Sequence, residues 1–410
     1  MRLAVDRRMR AALGFALILA LAGSPALSAP RIPDQDSAVL ERLPISPGDP
    51  VARELRELRR QVSATPLDSA AAVRLARRYF RLAMSEGDPR FIGYGEAALR
   101  PWWPAAEATQ SVPPPQGVLV ARALLRQYKH EFDAALQDLA RAGEADPRDE
   151  DVWLWRSALH LVKADYAAAA ADCARLRPWA AAIDIAGCEA SVQGMTGHAE
   201  AAYRALGGAL RQARDLGPLG KIWLQTRLAE FSLRLGNTAA AEAHFREALA
   251  LKVNDQYLLA NYADFLLDQR RPAEVVPLLA NWVRSDILLL RLALAERALN
   301  LPSAGAHVEA LGARFAAAAL RGERLHLAEE SRFNLGLLGK PAQALALALD
   351  NWRTQREPRD ARVVLEAAAA AREPAAAAPV MQWLQSSAHQ DPILRGLAAQ
   401  IEALSGARKE

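Results

Sequence analysis

Alternating runs of strand-forming residues are nearly absent from this chain, and Ala dominates its apolar positions. Ala is the strongest helix former and lets helices pack closely, so the pattern predicts an all-α protein. One stretch breaks the mixture of apolar and polar positions. Residues 11–22 are uninterruptedly apolar, follow a basic stretch ending at Arg10, and precede Gly23, Ser24 and Pro25. With small residues at Ala26 and Ser28, this reads as a signal peptide over residues 1–28, cleaved after Ser28 by the Sec route. A retained anchor is the other reading, although a twelve-residue apolar run falls short of a bilayer span. After cleavage no stable membrane insertion is expected, and the chain should be periplasmic or secreted.

Self-comparison exposes a repeat. Setting Leu119–Arg141 against Trp153–Arg175, an offset of 34, matches Arg122 to Arg156, Leu125 to Leu159 and Lys129 to Lys163. The same offset matches Phe132 to Tyr166, Ala135 to Ala169 and Asp138 to Asp172. A period of that length is produced by a tandem pair of antiparallel helices. Small residues recur at Ala97, Ala135, Ala169, Ala202, Ala241, Ala344 and Ala377, with Val275 substituted and a weaker copy near Ala306. Turn signals fall between them at Pro147, Gly217-Pro218, Gly236, Gly339 and Pro374.

The run Ala135, Leu139, Ala142 and Pro147, with Ala241, Phe245 and Ala248 in a second copy, resembles the second helix of the tetratricopeptide repeat (TPR). The resemblance spans roughly residues 67–390 and implies a right-handed α-solenoid of about eight or nine helical hairpins in an exported bacterial protein. The expected organisation is a Pro-rich extended leader at 29–50 and N-terminal helices with a first repeat unit at 51–100. A Pro/Trp linker at 101–116, the solenoid at 117–390 and a capping helix at 391–410 follow. Proline at its density excludes a continuous helix in the linker, where Trp102 and Trp103 either pack on neighbouring helix ends or form an exposed contact.

Charge alters this picture little. Of a net +4, the first 28 residues carry +3, and there is no clustered basic face, so nucleic acid is not an expected partner. Cys173 and Cys188 leave two readings open, one disulfide in an oxidising compartment or two buried thiols.

No catalytic or phosphate-loop motif is present, and Glu323-x-x-His326 with Glu329 and Glu330 lacks the second half that a di-iron site requires. The chain is therefore read as a non-enzymatic scaffold without cofactor or metal, holding a protein or peptide. A purely structural envelope subunit and a helical-superstructure enzyme of the cell wall are the alternatives. The resemblance places the binding groove on the first helix of each pair. It points to Trp223, Arg227, Glu230 and Arg234 in one copy and Tyr257, Asn261, Asp264 and Asp268 in the next, with Thr226 and Ala260 at intervening frame positions.

Overall fold

The structure, a computed structural model, describes residues 48–103 and 114–406 together with residues 35 and 37. The expected signal segment, most of the leader and the centre of the Pro/Trp linker lie outside the described residues. Two compact units comprise residues 1–54 and 55–410, and the second carries the repeat array.

Among the described residues the secondary structure is helical, with no strand. Helix α1 (Pro50–Ala64) precedes nine antiparallel pairs. They begin with α2 (Ser69–Glu86) and α3 (Arg90–Ala98), α4 (Gln116–Tyr128) and α5 (Phe132–Ala145), and α6 (Glu150–Val162) and α7 (Tyr166–Leu176). Next come α8 (Ala182–Met195) and α9 (Ala199–Gln212), α10 (Pro218–Arg234) and α11 (Thr238–Leu249), and α12 (Gln256–Asp268) and α13 (Pro272–Leu279). The last three are α14 (Asp286–Ala298) and α15 (Ala304–Leu320), α16 (Leu327–Gly336) and α17 (Pro341–Trp352), and α18 (Pro358–Ala370) and α19 (Ala378–Ser387). Helix α20 (Pro392–Gly406) follows and buries Leu394 and Ile401.

The small-residue landmarks mark where the helices of a pair cross. Ala135, Ala169, Ala202, Ala241, Val275, Ala344 and Ala377 are all fully buried. Two landmarks sit two residues away from their expected places. Ala97 is exposed, and Gly95, Leu99 and Trp102 occupy the inward positions of the first pair. A Cβ on Gly95 would lie 2.8 Å from the Leu125 side chain, so the crossing itself selects glycine. Near Ala306 the inward small residue is Ala304. The matched Arg and Asp of the 34-residue offset form ion pairs within their hairpins. Arg122 forks onto Asp138 with both side chains buried, and Arg156 approaches Asp172 at 3.3 Å. Trp102 is buried and its carbonyl accepts from Arg122, while Trp103 lies under the Arg126 guanidinium. The linker tryptophans thus pack against the second pair.

Each pair turns through one residue in the left-handed region. The series runs Gly87, His130, Ala164, Gly197, Gly236, Arg270, Asn300, Gly339 and Arg372, with φ between 54° and 81°. After eight of the nine, all but Gly87, the next N–H reaches back to a carbonyl of the first helix, as Asp165 to His160 (2.8 Å), Asn237 to Ser232 (2.8 Å) and Arg271 to Leu266 (2.9 Å). Five of these nine positions hold a residue other than glycine, which a search for glycine turns overlooks. Several helices then start under a side-chain cap, from Asp165 to the Ala168 N–H, Asn237 to Ala240 and Asp255 to Leu258.

The array does not remain a chain of nearest neighbours. Gly87, ending α2, packs against Gln256 and Ser285 at the starts of α12 and α14. At the other edge, the last two pairs and α20 fold back over the turns of the second to fifth pairs. The Arg356 N–H donates to the Val162 carbonyl (2.8 Å), and Trp383 Nε1 donates to the Tyr166 hydroxyl (2.7 Å). Gln355 meets His130 Nδ1 at 3.2 Å, and the Ala199 N–H donates to Gln390 (3.2 Å). Met195 joins the apolar cluster around Trp352 and Trp383.

Two predictions follow from the turns and from this seam. Gly236→Ala meets open space apart from Pro392 at 3.8 Å, so its cost is conformational. It should destabilise the fold by about 1 kcal/mol in urea titration, and Arg270→Gly should stabilise it by about the same. His130 and His389 both lie at the seam, and burial foremost lowers them from 6.5 to about 4 and about 3, aided by Arg359 and Arg234 respectively. Their stabilising contribution is complete above 6.5 and is lost as pH falls toward those values, because the unfolded chain then binds more protons. The melting temperature should therefore fall between pH 6.5 and 4, and His130→Gln should flatten that slope.

Candidate functional site: a cavity enclosed by the first helices

Folding back of the C-terminal pairs partly covers a cavity of about 500 Å³. Its walls come mainly from the first helices α6, α8, α10, α12, α14, α16 and α18, closed at one end by residues 391–394 at the start of α20. All eight groove residues named from sequence line it: Trp223, Arg227, Glu230 and Arg234 on α10, and Tyr257, Asn261, Asp264 and Asp268 on α12. Thr226 and Ala260 face the packed interior instead; both are buried, and the Thr226 hydroxyl donates to the Ile222 carbonyl.

The α12 carboxylates are bound by the protein's own later pairs. Asp264 accepts from Arg291 (2.7 Å) on α14 and from Arg332 (2.9 Å) on α16. Burial opposes its ionisation, but the two guanidinium groups prevail and hold its carboxyl well below the ordinary range. Asp268 receives both arms of Arg362 on α18 at 2.7 Å, and Arg362 also reaches Glu366. These links tie hairpins 68 and 94 residues apart in sequence.

On the opposite wall cations and rings alternate. The Arg227 guanidinium lies 5.8 Å from the Trp223 ring and 5.3 Å from that of Tyr257, with Arg359 6.0 Å from the latter. Arg227 pairs with Glu230 (2.8 Å), whose other oxygen accepts the Tyr257 hydroxyl (2.6 Å). Asn261 donates to the Tyr257 carbonyl at 2.8 Å, within its own helix. Trp223 is 41 % exposed, the most open of the large rings in the cavity wall. At the far end of α10, Arg234 is 8 % exposed and stacks 5.3 Å from the Phe231 ring.

The sequence reading missed Arg291, Arg332, Glu357, Arg359 and Arg362. The repeat frame extended to α16 and α18 would reach them, but the variable step between pairs obscures that frame. The Glu323–His326 set forms no ligand cluster. Glu323 is bound by Arg321 at 2.7 Å, and among the described residues no three His, Cys, Asp or Glu are grouped to hold a metal ion. Away from the cavity, Cys173 on α7 and Cys188 on α8 form a disulfide with a Cα separation of 5.6 Å, joining the third and fourth pairs.

No protein-family model matches the chain, and no curated protein matches it. Solved structures align with it at low similarity. A chain of the APC/C hetero-tetramer Cut9-Hcn1 aligns at 11% identity over 86% of this chain, which spans 66% of that one, just under two thirds, with a TM-score of 0.49. A tetratricopeptide repeat protein from Parabacteroides merdae aligns at 15% identity over 70% of this chain and 98% of its own, with a TM-score of 0.35. The TPR domain of P58(IPK) aligns at 14% identity, covering 88% and 95%, with a TM-score of 0.22. At these values the fold rests on the helix pairs and turns described above.

The ion pairs give a graded prediction. Asp264→Asn leaves Arg291, buried at 5 % exposure, without its counter-charge, and should cost about 3 kcal/mol in chemical denaturation. Asp133→Asn, which frees Lys163 at an exposed pair, should cost less than about 0.5 kcal/mol.

Proposed function

We propose that this chain is a non-enzymatic scaffold of the cell envelope that holds a protein partner at the inner face of its helical array. The observation that carries the reading is convergence. First helices from seven successive pairs present aromatic, amide and charged side chains to one cavity, and Trp223 stands open in its wall. A mainly apolar surface with a few placed polar groups suits a short peptide segment. Of the cavity carboxylates, Glu230, Asp264, Asp268 and Glu357 are held by arginines, which disfavours their use as a free acid–base pair. Export is supported by the apolar run at 11–22, and the Cys173–Cys188 disulfide suits an oxidising compartment.

The C-terminal pairs limit how a partner enters. Because they cover the inner face, the partner contributes a short segment at the cavity mouth rather than a helix laid along the whole array. A structural role through the outer surface is the competing reading, and crosslinked capture from a periplasmic extract separates the two. Arg227, Glu230 and Asp264 are poor probes, since their ion pairs hold the fold. Trp223→Ala with Asn261→Ala removes open side chains and should keep the melting temperature within about 3 °C. Loss of the captured partner in that variant supports inner-face binding, and undiminished capture assigns the contact to the outer surface.

A further inference from the structure

Residues 388–391 form a short strap between α19 and α20, lying over the turn that joins α8 to α9. A Cβ on Gly197 would lie 3.0 Å from the Ala388 carbonyl oxygen, and the Ala199 N–H donates to Gln390 at 3.2 Å. Ala388 holds a φ of 51°, which alanine adopts at a cost, so contacts rather than local preference shape the strap. The strap runs directly into Pro392, Ile393 and Leu394, which with Asp391 close one end of the cavity.

One side chain of the strap is out of keeping with its place. His389 is 6 % exposed and its ring lies 5.3 Å from that of Trp383. Both ring nitrogens are buried without a hydrogen-bond partner among the described residues. An apolar ring would fill this site without leaving polar atoms unmet, and the imidazole differs from it in being able to take up a proton. The closed strap does not accommodate that proton. Burial foremost, then Arg234 of α10, lowers the ring to about 3, and the Met195 backbone of α8 opposes them. Burial pushes Tyr166 of α7, which accepts from Trp383, up to about 12, so it stays neutral. Asp391 of the strap uses one oxygen to accept the Ile393 and Leu394 N–H groups (2.8 and 3.1 Å). His198, in the turn beneath, is exposed.

We propose that residues 388–391 are an acid-released strap, in which proton uptake by the His389 imidazole frees the strap from the α8–α9 turn and uncovers that end of the cavity. The ring takes its proton once it has left its site. Between pH 6.5 and about 3 the open strap then binds one proton more than the closed one, so opening rises up to about tenfold for each unit of acidification. The remaining wall holds through this window, because Asp264, kept ionised by Arg291 and Arg332, still ties α12 to α14 and α16. The inference adds regulation to the inner-face site and rests on that reading for what the uncovered end admits. Opening itself is measured on the purified chain, so a partner found on the outer surface leaves it standing.

The test is hydrogen exchange of the full chain at about pH 7, 5.5 and 4.5, corrected for the intrinsic rate at each pH. The reporters are the Ala199 N–H, whose acceptor lies on the strap, and the backbone amides of the strap itself. Their opening constants should rise by up to about tenfold between pH 5.5 and 4.5. Amides of α11 and α12, packed around Phe245 and Phe265, should not change. His389→Phe keeps a ring against Trp383, and should remove the slope and lower opening throughout. His389→Leu gives the same readout if the larger ring overfills the site. Gln390→Ala should raise opening at Ala199 and keep the slope, which separates a lost contact from a lost titration. The proposal is overturned if wild type shows no slope or if the slope survives in the His389 variants. It is equally overturned if the α11 and α12 amides open in step with the strap, which would be melting of the whole fold.

Discussion

A helix pair with one apolar stripe cannot bury that stripe alone, and every feature of the second unit depends on how the pairs satisfy this constraint. Neighbours supply most of the cover, through the buried small residues from Ala135 to Ala377. An array held by neighbours alone would be extended and open at its inner face. Here the last pairs return to the early ones, through Trp383 on Tyr166, Arg356 on Val162 and Gln355 on His130. The inner face thereby becomes a partly covered cavity.

Closure changes the work of the inner side chains. In an open groove, charged residues of the first helices would be free to meet a partner. In this protein Asp264 and Asp268 bind Arg332 and Arg362, so they join remote pairs of the same chain. Burial strengthens such contacts and also raises the penalty for any charge left alone. Arg234 stands out against that background, because the cations around it have carboxylate partners. What closure leaves without an ion-pair partner or cover in the cavity wall is Trp223, 41 % exposed, and Arg234.

Much of the fold was legible in the sequence because helix crossing demands small residues at a fixed spacing. The Arg122–Asp138 pair and its copy at Arg156–Asp172 carried the 34-residue offset directly into structure. The register slipped by two at Ala97 and Ala306, where Gly95 and Ala304 take the crossing. In an Ala-rich helix several small residues compete for that role, and composition alone does not choose. The eight inner residues were also legible, since one turn of frame fixes a helix face. Closure was not. Tyr166 and Trp383 lie 217 residues apart, and no local pattern relates them. Left-handed turns at His130, Ala164, Arg270, Asn300 and Arg372 were equally hidden, because tertiary packing holds residues there that lack glycine's preference.

The central claim is that the C-terminal pairs and the early turns protect one another. Native-state hydrogen exchange on the chain carrying Gln355→Ala and Trp383→Phe tests it most directly. Closure predicts faster exchange at the turns around His130 and Ala164, remote in sequence from both substitutions. Faster exchange confined to α16–α20, with those turns unchanged, would contradict it and leave a solenoid held by neighbours alone.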